Sequence, residues 1–401
     1  MDTGEQLGGL YKKATHLNQY RKDHTGLVIV DSGDLLNEEE ELPESVIESA
    51  KLKAELILEV YKTIGIDAVN VGELDLVLGL DYLKELEKKH SFPFVSTNLV
   101  DADDKPVFER YVLKKVNGKT VAIMGLYGDT SEMAGKLADI TGGKLNVQDP
   151  IKAAEAVVAE VSGKADYVIA LTHQIANRDW VIARRVKGIH LIVGGHDKLK
   201  NQDPQVAGDT LIVRAGEKGQ YLGMIEVSLD GSQEPANTLV PLGDDVADDA
   251  QIKEMIAAYN DKVAEMYGGS AEERTASADV PLRVEACAPC HSSQVAQWKT
   301  TDHAKAYATL AGKSKQYDPK CLSCHTVRFE QPNGFNMKEQ QMALVNVQCE
   351  SCHGDATEHL ASMKPIPVAD PQIDLCLKCH TEDRCPEFEE EKDIVFGKIK
   401  H

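Results

Sequence analysis

Through its first 286 residues the chain has no cysteine; all nine fall between positions 287 and 385. No run of about 18 apolar residues occurs, so no segment reads as a transmembrane helix. Positive charge is scarce as well: 44 lysines and arginines stand against 65 acidic residues, a net charge of −21. No basic stripe interrupts that acidity, which argues against nucleic acid as a partner and favours cations and basic proteins. A 401-residue chain with 42% hydrophobic residues is too long for one core and suits roughly two or three domains. The confinement of cysteine to one end says that two chemistries have been joined.

At that end the pattern C-x-x-C-H recurs four times: Cys287, Cys290 and His291; Cys321, Cys324 and His325; Cys349, Cys352 and His353; Cys376, Cys379 and His380. Each thiol must reach one vinyl group of a single porphyrin while the adjacent histidine turns onto the iron, and this spacing does both. Zinc modules also use C-x-x-C pairs, but they do not require a histidine after every second cysteine. Four covalently bound c-type haems are therefore expected, with Cys385 left over as an unpaired thiol. About 120 residues with few long apolar runs bury little surface alone, so the haems complete the core and the protein around them is short helices and loops.

Each iron has a second axial position. Outside the boxes the tail holds only His303, His359 and His401, one histidine too few for four bis-histidine haems. A histidine from the first domain, or Met337 or Met363, could occupy the fourth place, or one iron could stay five-coordinate. Attachment of c-type haem follows export, which sets a periplasmic or extracellular location. Met1-Asp2-Thr3-Gly4 shows neither a basic nor an apolar leader region, so the leader is expected to be missing from this version of the chain.

Residues 1–245 alternate apolar strands with amphipathic helices, as in "GLVIVDSGD" at 26–34 followed by "ESVIESAKLKAELILEVYKTIG". The segment 107–128 suggests a hairpin with Asn117-Gly118 at its turn. Layered α/β architecture follows. Polar residues collect where strands end: Asp31, Asp34, Glu73, Asp75, Asn98, His173, His196 and Asp197, a collection suited to one or two divalent metals. Residues 246–279 read as a connecting helix, from about 248 to 267, and a polar linker.

The residues carry two resemblances. "CESCHGDATEH", "TTDHAKAY" and the ending "FGKIKH" resemble, across 280–401, the tetrahaem cytochrome c family that accepts electrons from hydroxylamine oxidoreductase. That resemblance implies distal ligation by His303, His359 and His401 and tolerates one five-coordinate haem. "GGLYKKATHLNQYR", "VDSGD", "VNVGELD", "FPFVSTNLVD", "LTHQ" and "GGHDK" resemble, in order, the 5'-nucleotidase and UDP-sugar hydrolase branch of the calcineurin-like metallophosphoesterases. It implies metal positions at Asp34, His173 and His196.

The second match has gaps. Glu73 stands where that branch has a metal-binding asparagine, Leu74 where it has a catalytic histidine, and Lys198 where G-H-x-H has its second histidine. Leucine cannot donate a proton to a leaving group. Lys198 is expected to repel a cation and to pair with Asp34 or Glu73. The initial D-x-H strand has no counterpart before Gly8. The expected fold is thus an α/β layered metallophosphoesterase-like domain followed by a mainly α, loop-rich multihaem cytochrome c domain. The body's divalent-metal site, with Asp34, Glu73, His173 and His196, is expected to be vestigial.

Electron transfer between redox protein donors and acceptors leads, with the body as scaffold or docking surface. A redox enzyme acting on a small nitrogen or sulfur compound at a five-coordinate haem is the alternative, and a working phosphoesterase coupled to a cytochrome ranks last. A homo-oligomer is compatible with the sequence, which does not specify it.

Overall fold

The computed structural model describes residues 7–24, 26–229, 232–243, 245–267, 283–313, 315–337, 341–368, 372–381, 385 and 388. It divides into two compact units, one of Leu7–Leu42 with Ala50–Ile256 and one of Pro43–Ser49 with the described part of 257–401. The division falls inside a helix, Ala250–Tyr267, at the place where the sequence puts the connecting helix.

The first unit is built on two main sheets, with two further two-stranded pairs beside them. Strands β1 (Val30–Asp31), β2 (Ala68–Asn70) and β3 (Phe94–Val95) pair in parallel in that order. The longer sheet has six strands. Its centre is β4 (Lys119–Tyr127), β5 (Tyr167–Gln174), β6 (Leu191–His196) and β7 (Thr210–Val213), all parallel. Tyr111–Val116 and Gln205–Ala207 close its two edges in antiparallel fashion. The hairpin into β4 turns at Asn117 and Gly118, whose φ values of 49° and 78° are those of a turn that matches strand twist.

Alternation along β4 explains the layers. Ala122, Met124 and Leu126 face one way, into a core with Val157 and Val161 of the helix Pro150–Val161 and Ile182 and Ala183 of the helix Ala176–Arg185. Val121 and Ile123 face the other way, packing with Ile169, Leu171, Ala68 and Val95, so the short sheet covers the long one. Parallel strands buried on both faces read as continuous apolar runs, as "YVIALTH" and "IHLIVGGH" do.

In the second unit no helix after Tyr267 exceeds seven described residues. Its buried apolar side chains are few, among them Val284, Val295, Leu310, Leu322, Val327, Phe335, Met337 and Leu344. Among the described residues no helix is long and apolar enough to cross a membrane.

Candidate functional site

In the first unit the site forms where both sheets present their carboxyl ends. Asp34 follows β1, Glu73 follows β2, His173 lies near the end of β5 and His196 ends β6. The four donor atoms lie within 4.8 Å of one another. His173 Nε2 is 3.0 Å from Glu73 Oε2 and 3.3 Å from Asp34 Oδ2, and His196 Nδ1 is 3.3 Å from Glu73 Oε1 and 3.2 Å from His173 Nε2.

The surroundings aim these atoms inward. His173 Nδ1 lies 3.0 Å from the Ser32 carbonyl, so a proton held there leaves Nε2 with its lone pair toward the cluster. Leu74 N–H donates to Asp34 Oδ1 at 2.8 Å, leaving Oδ2 on the cluster side. Asp34 and His196 both sit in left-handed backbone, φ 57° and 70°. A Cβ on Gly72 would run into Asp34 Oδ1, so the close approach of these two loops requires glycine there.

Burial would raise the Glu73 carboxyl, but hydrogen bonds from His173 and His196 outweigh it and hold the group well below the carboxylate range. Burial would likewise lower His173; the carboxylates of Asp34 and Glu73 overcome it and raise the imidazole well above its usual value.

Other polar residues at these strand ends are structural. Asp75 accepts from the backbone N–H groups of Asp34, Leu35, Leu36 and Gly72, clamping the two loops together. Burial, then the Asp34 charge, push it up to about 7 against those bonds. Asn98 ties Tyr127 to Gln148, and Asp197 accepts from the Ala176 N–H. Asp31 accepts from the Tyr61 hydroxyl. The expected pairing of Lys198 is corrected: its side chain is 74% exposed and lies 3.2 Å from Glu217, away from Asp34 and Glu73. A long, flexible ammonium gains more from water and a surface carboxylate than from a buried cluster. Tyr127 escaped the sequence reading; its hydroxyl lies 3.2 Å from Glu73 Oε2, and its only signal was its place at the end of β4.

In the second unit each C-x-x-C-H is a single helical turn. His291 N–H bonds to Cys287 O and His380 N–H to Cys376 O, while the second and third boxes lie in the helices Pro319–His325 and Cys349–His353. One turn puts the two thiols and the imidazole on one side, because residues three and four apart are neighbours on a helix. Two histidine rings stand opposite box histidines: His359 faces His291 with centroids 6.4 Å apart, and His303 faces His380 at 6.0 Å.

The Nδ1 atoms of His325, His353 and His359 lie 2.6 to 2.8 Å from the carbonyls of Ala306, Val368 and Lys364, which reserves each Nε2 for a metal. Met337 is buried, Met363 is 68% exposed, and His401 lies outside the described residues. Cys385, expected as an unpaired thiol, has its sulfur 3.3 Å from His380 Nδ1.

Fold and sites together define a metallophosphoesterase-like α/β body joined to a cytochrome c-like tail. The family Cytochrome c554 and c-prime matches residues 286–354. Cytochrome c-554 of Nitrosomonas europaea is 30% identical over 135 residues, 27% of this chain and 57% of that protein. The body is similar to the 2',3'-cyclic-nucleotide 2'-phosphodiesterase/3'-nucleotidase of Yersinia enterocolitica, 29% identical over 261 residues, 56% of this chain and 39% of that one. The crystal structure of a 5'-nucleotidase precursor from Thermus thermophilus superposes with a TM-score of 0.55 at 22% identity, covering 65% of this chain and 54% of that chain; this likeness is one of fold. The chain spans between 18% and 58% of the length of the curated relatives it matches.

The family match implies covalently bound haem, and the tail's donors fit it. Two imidazoles on one iron, each nitrogen about 2.0 Å from the metal, put their ring centroids about 6.3 Å apart. The separations of 6.4 and 6.0 Å lie either side of that value.

Proposed function

We propose that the protein is an exported tetrahaem c-type cytochrome that carries electrons between redox proteins. The observation that carries this reading is the pair of facing histidines, His291 with His359 and His303 with His380, each spaced for an iron between them. Eight cysteines hold the four porphyrins, and His291, His325, His353 and His380 supply the proximal nitrogens. His359 and His303 serve the first and fourth boxes, and His401, a distal ligand by resemblance, is left for the second or the third. The haems supply one-electron chemistry; the protein sets their spacing, axial ligands and access. Docking partners are basic proteins, drawn by a chain whose net charge is −21. The phosphoesterase-like body serves as scaffold or docking surface.

The spacing of the boxes supports transfer. Cys287 and Cys349 lie within hydrogen-bonding reach of each other, as do Cys324 and Cys379. Burial raises the Cys352 thiol, and Cys376 is close enough for its charge to raise it further. The boxes are therefore neighbours in the order first, third, fourth, second.

One observation favours a second reading. Among the described residues no histidine ring faces His325 or His353 at the distances seen for the other two pairs, and His401 can serve only one of them, which would leave one iron open to a small nitrogen or sulfur compound. Electron paramagnetic resonance of the oxidised protein, with ferrous spectra before and after carbon monoxide, separates the two. Low-spin signals alone and no carbon monoxide shift mean a pure carrier. A high-spin signal and a shift in roughly a quarter of the haem establish an open iron. Fewer than four haems by pyridine haemochrome would overturn the tetrahaem reading.

A further inference from the structure

The phosphoesterase fold of the body implies a pair of metal ions, and the residues present do not fit a pair. Among the described residues one cluster of donors is tight enough to hold an ion, with one donor atom from each of its four residues within 4.8 Å of the others. Around one first-row ion with ligands at about 2.0–2.2 Å, adjacent ligand atoms stand about 2.9–3.5 Å apart. Four contacts within this cluster, made with both Glu73 oxygens, run from 3.0 to 3.3 Å. A second ion would need further donors beside the first. Lys198, two residues beyond His196, turns outward to Glu217 instead.

Charge points the same way. Asp34 and Glu73 bring two negative charges and the histidines none once their nitrogens face a metal, so one divalent ion makes the centre neutral. Glu73 is held by position: its side chain is 4% exposed, lies between both imidazoles and is met by the Tyr127 hydroxyl at 3.2 Å. A neutral centre gives up the excess positive charge that would draw a phosphate dianion out of water. Two imidazoles and two carboxylates, with no thiolate, suit Zn²⁺, Mn²⁺ or Fe²⁺ over softer or harder ions.

We infer that Asp34, Glu73, His173 and His196 form a mononuclear, charge-neutral site that retains one divalent first-row ion and does not recruit phosphate. Glu73 is the residue that makes it so, and Tyr127 positions Glu73. The inference is independent of the haem reading, since the haem spectrum reports the tail and metal content the body.

The test is equilibrium dialysis of the full haem-loaded protein against Mn²⁺ alone and Zn²⁺ alone. Bound metal is counted by mass spectrometry, and Mn²⁺ is also followed by its paramagnetic resonance. One equivalent per chain is expected. Asp34→Asn and His196→Gly should each weaken binding at least tenfold; both replacements tolerate the left-handed backbone at those positions, so the fold is kept, and circular dichroism and the haem spectrum verify it.

Glu73→Gln should hold Mn²⁺ more weakly and, unlike the parent, bring inorganic phosphate to the ion, read as broadening of the phosphate phosphorus resonance. Two equivalents, no equivalent, or unchanged affinity in both folded variants would overturn the single site. Phosphate broadening in the parent equal to that in Glu73→Gln would overturn the role of Glu73.

Discussion

Arg214 and Asp179 form an ion pair beneath the strand ends that carry His173 and His196, with side chains 3% and 0% exposed. Arg214 also reaches the Ala176 carbonyl and Gln205, and Asp179 accepts from Gln174, the residue after His173, at 2.8 Å. A Cβ on Gly194, two residues before His196, would press on both partners. Replacing Arg214 by methionine keeps most of the volume and leaves the buried Asp179 without its countercharge, held only by neutral side chains such as Gln174. Breaking a buried pair from one side costs about 3–5 kcal/mol.

The carboxyl has a way out, which is to fold protonated. At pH 7, protonating a group whose unfolded pKa is about 3.9 costs about 4 kcal/mol, and the penalty stops there. Burial already raises Asp179 in the fold, against Gln174 and Arg214, and removal of the arginine raises it further.

A carboxyl whose folded pKa lies above its unfolded one makes stability fall as pH rises between the two. The deficit of Arg214→Met should therefore be small below the already raised folded pKa of Asp179 in the parent and grow by about 1.4 kcal/mol per unit above it, until the variant's still higher folded pKa is passed. Adding Asp179→Asn removes the charge and should recover most of the loss at pH 7. Urea unfolding at several pH values, read by the fluorescence of Trp180 beside Asp179, measures this. A deficit below about 1 kcal/mol, or one equal at pH 4.5 and 7, would refute the account.

His359→Ala and His303→Ala should each turn roughly a quarter of the haem high-spin, and the double variant roughly half; paramagnetic resonance would show no change if the facing rings are not axial pairs. Gly72→Ala forces Asp34 aside and should lower stability by about 1–3 kcal/mol while weakening Mn²⁺ retention at least tenfold; intact binding in dialysis would show that the loops yield. Chain produced without haem attachment should keep a protease-resistant body while its tail is digested, because the tail's own buried apolar side chains are few. A resistant tail would mean that the porphyrins are not its core.

The α/β body was legible because buried parallel strands leave apolar runs, and the hairpin because Asn117-Gly118 takes the backbone that its turn demands. "GLVIVDSGD" reads as a buried strand ending in a polar turn, yet within it only Val30–Asp31 pairs, since β1 meets a two-residue stretch of β2 and the apolar residues before it pack without a ladder. Asp34, Glu73, His173 and His196 were legible as strand-end polar residues, but composition could not separate them from Asp75 and Asn98, which spend themselves on backbone groups. That distinction is one of direction, and sequence does not encode where a side chain's second oxygen points. Lys198 shows the same limit, since its neighbours in sequence are in the site and its charge is not. The distal histidines could be counted from the sequence; which box each faces depends on loops that fold back over distances the spacing does not record.

Two independent observations meet at the second box. Thiol proximity orders the boxes first, third, fourth, second, so the second stands at one end of the row. The ring pairs use His359 at the first box and His303 at the fourth; among the described residues neither His325 nor His353 has such a ring opposite it, and in the proposed reading His401 is left for one of the two. An iron in the middle of a row serves its neighbours best when both axial positions are filled, because a fixed ligand set changes little on reduction. An iron at the end has only one haem neighbour, and an open position there costs the row nothing while giving electrons a place to meet a small molecule. In this reading the carrier and the enzyme are one arrangement. His325→Met, a variant that exchanges the proximal ligand of that end alone, should leave reduction of the other three haems intact and abolish whatever chemistry the open iron performs.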